Sequence, residues 1–210
     1  MTGTAATAAS KVRPPQGVIF DLDGTLTEPL LDFEAIRREV GIPSGLPILE
    51  AMESFDAAAR ARAEVILRRH EMDAIRAATL ADGCRDLLAE LAARHVPVAI
   101  LTRNVRDAVE DFLRRFDLRV RAAYTREDGP SKPSPEGVLA LCRTFGLQPQ
   151  QVWMVGDYTY DVIAGREAGC RTALVLAPVP TDLAEWGAPD VAVPSLRALA
   201  ATWWDRRSLP

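Results

Sequence analysis

The chain has 210 residues, 48% of them hydrophobic, and a formal net charge of -4. That leaves room for one α/β domain with an insertion or for two small domains, and excludes global disorder. The acidic balance speaks against a nucleic-acid binder, and no apolar run approaches the roughly 20 residues needed to cross a bilayer.

Residues 1–16, MTGTAATAASKVRPPQ, are small and polar and lack the apolar centre of a signal peptide. They read as a disordered leader on a cytoplasmic protein. The first structural signal follows in Val18-Ile19-Phe20, an apolar β-rich run that ends in acids and a glycine, as a buried strand running into a loop does. Further strands are expected at Val96–Leu101, Ala122–Thr125, Val152–Val155, Thr172–Leu176 and Val191–Val193. Helical spacing of apolar residues lies between them, over Cys84–His95, Val105–Phe116, Pro135–Phe145 and Tyr160–Ala168. Strands and helices alternating at this length predict a parallel sheet with right-handed crossovers.

One interval breaks the alternation. Between Leu26 and about Leu80 no strand is expected, and helical stretches run over Asp32–Val40, Ile48–Phe55 and Ala57–Ala78, with a turn-rich joint at residues 41–47. One crossover needs far fewer residues. The interval 29–80 therefore reads as a helical insertion after the first strand of a core formed by 17–28 and 81–210.

Cys84, Cys142 and Cys170 are odd in number and include no CxxC pair, and His70 and His95 are not near them in sequence. They read as small core or surface thiols, with neither a zinc site nor a disulfide frame expected.

In open parallel sheets, sites form at the carboxyl ends of the strands. Asp21 and Asp23 follow the first expected strand, Thr102 the second, a loop holding Lys132 the third, and Asp157 and Asp161 the fourth. Asp21 and Asp23, two apart in an extended segment, point to one side. Asp21 can attack phosphorus, and Asp23 can protonate the leaving oxygen and then deprotonate water. Gly24 lets backbone amides approach a phosphate. A lone Asp-x-Asp-Gly would be read as an ordinary strand end; the company of the other residues changes that. Asp157 suits a helix N-terminus, but Asp21, Asp157 and the backbone carbonyl of Asp23 also make a hard-oxygen set for Mg²⁺, with Asp161 assisting. The 25 basic residues include only two lysines, Lys11 and Lys132. A compact ammonium in the Lys132 loop can neutralise Asp21 and grip a phosphate. Thr102 can donate its hydroxyl to the same group, and Arg103 is a further phosphate-binding candidate. Arg37 and Arg38 are candidates for substrate selection.

Asp21-Leu-Asp-Gly-Thr-Leu-Thr27, Ile100-Leu-Thr102, Lys132-Pro-Ser-Pro and Gly156-Asp157 to Asp161 resemble, in order, the four motifs of the haloacid dehalogenase superfamily, over about Gly17 to Leu176. The likeness is to its phosphoglycolate phosphatase-like branch. It implies a Rossmann-like core with a small helical cap, Asp21 as nucleophile, and a Mg²⁺-dependent phosphatase acting on a small phosphorylated metabolite, with no nucleic acid, membrane or obligate protein partner. A phosphomutase similar to β-phosphoglucomutase, and a regulatory protein that keeps the fold without catalysis, are the alternatives. A dehalogenase would lack the second acid, Asp23. Arg103 and Tyr158 depart from the residues common at those motif positions, which leaves the substrate open.

Overall fold

The computed structural model describes residues 12–204. Six strands, β1 (Gly17–Phe20), β2 (Val98–Leu101), β3 (Ala122–Tyr124), β4 (Val152–Gly156), β5 (Arg171–Val175) and β6 (Val191–Val193), form one sheet in the order β3-β2-β1-β4-β5-β6. Every pairing is parallel. Each expected strand is present within two residues of its expected bounds. The second begins at Val98 rather than Val96, and Pro97, which has no N–H to give a ladder, stands immediately before it.

The helices are α1 (Phe33–Val40), α2 (Ile48–Met52), α3 (Ala57–Ala77), α4 (Cys84–Ala93), α5 (Arg106–Phe116), α6 (Glu136–Phe145), α7 (Thr159–Glu167) and α8 (Leu196–Trp203). Asp32 and Asp56 cap α1 and α3 by accepting from the N–H groups of Ala35 and Ala59 at 2.8 and 2.7 Å. α2 stops three residues before the expected Phe55, where the Ser54 hydroxyl donates to the Ala51 carbonyl at 2.8 Å and competes with helix continuation. α8 was not expected from the sequence. Its signal is nevertheless present: Ser195 caps it through the Ala198 N–H at 3.3 Å, and Leu196, Leu199 and Trp203 are buried on one side.

Strand alternation sorts the core into two faces. Val18, Phe20, Val98, Ile100, Trp153 and Val155 face a cluster completed by α4, α5 and α8. Ile19, Ala99, Leu101, Val152 and Met154 face one completed by α6 and α7. Two buried faces explain why the central strands read as continuous apolar runs. A third cluster, around Ile36, Ile42, Ile48, Met52, Ala63 and Leu67, lies within the interval between β1 and α4. α3 spans two clusters: Leu67 belongs to the third, but Ile75, two turns on, belongs to the first. Packing therefore divides within α3 rather than at residue 80. The two chain crossings run side by side, Thr27 bridging Leu80 antiparallel, with the Glu28 N–H on the Thr79 carbonyl and the Ala81 N–H on the Leu26 carbonyl, each at 3.0 Å.

The expected disordered leader lies outside the described residues as far as Lys11. Its last part is placed: Val12 packs against the first cluster, Pro15 is buried, and the Gln16 N–H donates to the Gln151 carbonyl at 3.1 Å. These three anchors hold residues 12–16 on the core, so the leader reading is corrected there. Among the described residues no helix is long and apolar enough to cross a membrane.

Candidate active site

In the order β3-β2-β1-β4-β5-β6 successive strands are added outward in opposite directions on either side of the β1–β4 junction, and a crevice opens there at the carboxyl ends of the strands. β1 delivers Asp21 to this crevice, its N–H still held by the Val155 carbonyl of β4 at 2.9 Å. β4 delivers Asp157. β2 delivers Thr102, whose N–H is held by the Tyr124 carbonyl of β3 at 3.0 Å. The residues singled out in sequence thus meet because four neighbouring strands end together.

Lys132 is buried at 4% exposure, and its Nζ donates to Asp21 Oδ1 at 2.5 Å and to Asp161 Oδ1 at 2.6 Å. Asp161 lies in the first turn of α7, and its other oxygen accepts from the Tyr158 N–H at 3.1 Å. It is Asp161, not Asp157, that caps this helix; Asp157 precedes it and stays in the crevice. Gly156 permits the arrangement, since a Cβ there would lie 2.1 Å from Asp161 Cγ. Gly24 has φ +79°, and a Cβ on it would lie 2.2 Å from Asp157 Oδ2. The loop after β1 therefore passes directly against the Asp157 carboxylate, which accepts from the Thr25 hydroxyl at 3.3 Å. Asp23 accepts from the Asn104 amide, and the Asn104 N–H donates to Thr102 Oγ1 at 3.2 Å, leaving the Thr102 O–H free to donate elsewhere.

The electrostatics follow from four aspartates around one ammonium. Burial, then the charge of Asp21, pushes Asp23 up to about 7. Burial, then Asp21 and Asp161, pushes Asp157 up to about 8. Burial raises Asp161 to about 6 against the pull of Lys132. Burial works against the charged form of Lys132, but Asp161 and Asp21 outweigh it and hold its pKa above the usual lysine value.

A divalent cation fits this set. Asp21, Asp157 and Asp161 each offer an oxygen, all within 4.8 Å of one another. Lys132 answers Asp21 and Asp161, while Asp157 has no cationic partner among the described residues. Clustered carboxylate oxygens with uncompensated charge are the donor chemistry of a hard ion such as Mg²⁺.

Above the acids lies a cavity of about 370 Å³, walled partly by α1, α2 and α3. Arg103 lines it, but its guanidinium does not stand free for a phosphate as expected. Both Nη atoms donate to Glu50 of α2, at 2.9 and 2.8 Å; Nη1 also reaches the Lys132 carbonyl at 2.5 Å, and the group lies 5.2 Å from the Tyr160 ring centre. Neutralised by Glu50, it serves as a clasp between the β2 loop and α2. Arg37 lines the cavity, whereas Arg38 is exposed and does not. The sequence pattern points to Asn104 only as part of a core loop that could set selectivity, and to no role for Glu50, Glu71 or Arg126. Glu71 of α3 is 2% exposed; it accepts from Arg126 and from the Val105 N–H at 3.3 Å, and burial raises its pKa despite Arg126. An acid in the middle of an apolar helix face was the available sign.

Comparison with known proteins agrees with this geometry. The haloacid dehalogenase-like hydrolase family matches residues 30–175. A haloacid dehalogenase-like hydrolase domain-containing protein of Arabidopsis thaliana is 35% identical over 187 residues, covering 83% of this chain and 75% of its own. A phosphoglycolate phosphatase of Synechococcus elongatus is 33% identical over 170 residues, covering 73% and 80%. A solved hydrolase from Pseudomonas syringae superposes with a TM-score of 0.75 at 20% identity over 88% of this chain and 97% of that one, a likeness of fold.

Proposed function

Because this chain belongs to the haloacid dehalogenase-like hydrolase family and, like its phosphatase relatives, is a phosphoric monoester hydrolase, we propose that it is a cytoplasmic, Mg²⁺-dependent phosphatase of a small phosphorylated metabolite, working through an aspartyl-phosphate on Asp21. The observation that carries this reading is the Asp21 carboxylate at the floor of the crevice, aimed by Lys132 with Asp23 and Asp157 beside it. Asp21, Asp157 and the Asp23 carbonyl would hold the ion. When bound, Mg²⁺ supplies the positive charge that lets a phosphate dianion approach four carboxylates.

The chain's own residues do the rest. An Asp21 oxygen attacks phosphorus as the ester P–O bond breaks. Asp23, poised near 7, gives its proton to the leaving oxygen, then takes one from the water that attacks the phosphoryl group and frees Asp21. Asn104 orients the Asp23 carboxyl. Lys132, the Thr102 hydroxyl and amides around Gly24 receive the phosphoryl oxygens. The helices α1 to α3 act as a cap that shields this chemistry from bulk water.

Asp21→Asn, which keeps the shape but cannot form the acyl phosphate, should reduce turnover at least about 1,000-fold while leaving the far-UV spectrum and melting cooperativity intact. Wild-type turnover should vanish in chelator and return with Mg²⁺. Substantial turnover by a purified Asp21→Asn protein would overturn the mechanism.

A further inference from the structure

Resting on the phosphatase reading, we infer that this enzyme is built for a monoester whose leaving group is uncharged and apolar, about the size of an aromatic ring on a short chain, and not for one that bears a carboxylate. Away from the acids the cavity wall turns apolar. Leu30, Phe33, Pro47 and Leu49 come from the segment between β1 and α3, and Tyr158 comes from the opposite side. Leu30, Phe33 and Tyr158 are 47%, 51% and 52% exposed and all line this one cavity, so together they make an exposed apolar patch there. Tyr158 also stands edge-on to Tyr160 and Trp186, with ring centres 5.1 and 6.2 Å away, so two rings line the cavity and Trp186 backs the first of them. Aromatic groups in such settings prefer edge and offset partners, which another ring can supply.

The charges on the wall lead to the same conclusion. Beyond Lys132, which belongs to the phosphate, the cations lining the cavity are Arg37 and Arg103. Arg37 already donates to the Leu46 carbonyl and to Glu34, each at 2.7 Å, and Arg103 is held by both oxygens of Glu50. A carboxylate on the leaving group would lose water and find these guanidinium groups already neutralised, a poor exchange. The cavity, at about 370 Å³, also falls in the range that encloses ligands far larger than a two-carbon acid, roughly 300 Å³ upward.

The test compares three primary alkyl esters of similar intrinsic reactivity: phenethyl phosphate, ethyl phosphate and phosphoglycolate. With Mg²⁺ present, kcat/KM for phenethyl phosphate should exceed that for each of the others at least about tenfold, as burial of a ring implies. Phe33→Ser and Leu30→Ser, at half-exposed positions, should each lower the phenethyl-to-ethyl ratio severalfold. Glu50→Ala, which releases Arg103, should raise the phosphoglycolate-to-phenethyl ratio at least tenfold. Equal constants, a preference for phosphoglycolate, or ratios unmoved by all three variants would overturn the inference while leaving the phosphatase reading intact. Binding of the same esters to Asp21→Asn, followed by Tyr and Trp fluorescence, reads the preference independently of turnover. If none of the esters is hydrolysed, the phosphatase reading fails, and tenfold tighter binding of phenethyl phosphate than of phosphoglycolate still supports the pocket's preference, whereas equal or reversed affinities overturn it.

Discussion

Replacing Lys132 with methionine keeps the length of the side chain and removes the ammonium that binds Asp21 and Asp161. Hydrogen bonds to charged groups contribute about 1.5–3 kcal/mol each, and removing one partner of a buried pair costs about 3–5 kcal/mol. The aspartates can escape part of that cost by taking a proton. Asp161 is already raised to about 6 with Lys132 present and must rise further without it. Its folded-state pKa lies above the ordinary 3.8, so its protonated form is favoured by folding, and stability drains away as pH rises through the folded value. Lys132 itself stays charged throughout this range, since its pKa is raised. The variant should therefore lose about 1 kcal/mol at pH 5.5 and about 3 kcal/mol at pH 8. In a chain of this size the larger loss is a drop of roughly 6–12 °C in melting temperature. Urea midpoints at the two pH values, in chelator, measure the difference, and turnover at saturating Mg²⁺ should fall about 100-fold or more. A loss that is equal at both pH values, or larger at pH 5.5, would refute the coupled-charge account of the site.

In chelator the wild-type protein should become less stable between pH 6 and pH 8, because Asp23 and Asp157, raised to about 7 and about 8, shed protons that the unfolded chain has already lost. The slope should be up to about 1.4 kcal/mol per pH unit for each proton, Mg²⁺ should flatten it, and scanning calorimetry with and without the ion checks both. Gly24→Ala forces a Cβ against Asp157 at positive φ; it should cost about 1–3 kcal/mol and raise the Mg²⁺ concentration needed for half-maximal activity. Glu71→Ala should cost about 3 kcal/mol by stranding Arg126, with Glu71→Leu/Arg126→Met recovering most of it, as read from urea midpoints in a double-mutant cycle.

What was legible in the sequence was legible for local reasons. Strands buried on both faces must be apolar throughout, so Val18 to Phe20, Val98 to Leu101 and Val152 to Val155 declare themselves, and whatever stands at their carboxyl ends is brought together by the parallel sheet. Asp21, Asp23, Thr102 and Asp157 follow from that one rule. Lys132 stood out against an arginine-rich background, and the structure gives a physical reason: a 4%-exposed space between two carboxylates accommodates a compact ammonium rather than a planar fork.

The rest depended on partners far apart in the chain. Nothing near Arg103 announces Glu50, which is 53 residues away, and nothing near Glu71 announces Arg126, which is 55 away. Both pairs join the helices after β1 to the loops after β2 and β3. Their consequence for function is that the two pairs hold these helices to the core unequally. The last turns of α3 carry Glu71 in a buried ion pair and Ile75 in the main core, whereas α2 is tied to the core loops by the half-exposed Arg103–Glu50 clasp, and exposed pairs of this kind contribute little. Because α1 and α2 share the third cluster with Ala63 and Leu67 of α3, and Glu39 of α1 accepts from Arg69 of α3, a cap that opens on this scaffold would move α1 and α2 together with the first turns of α3, carrying Leu30, Phe33 and Leu49 relative to the acids. The proposed leaving-group wall would then move with the cap.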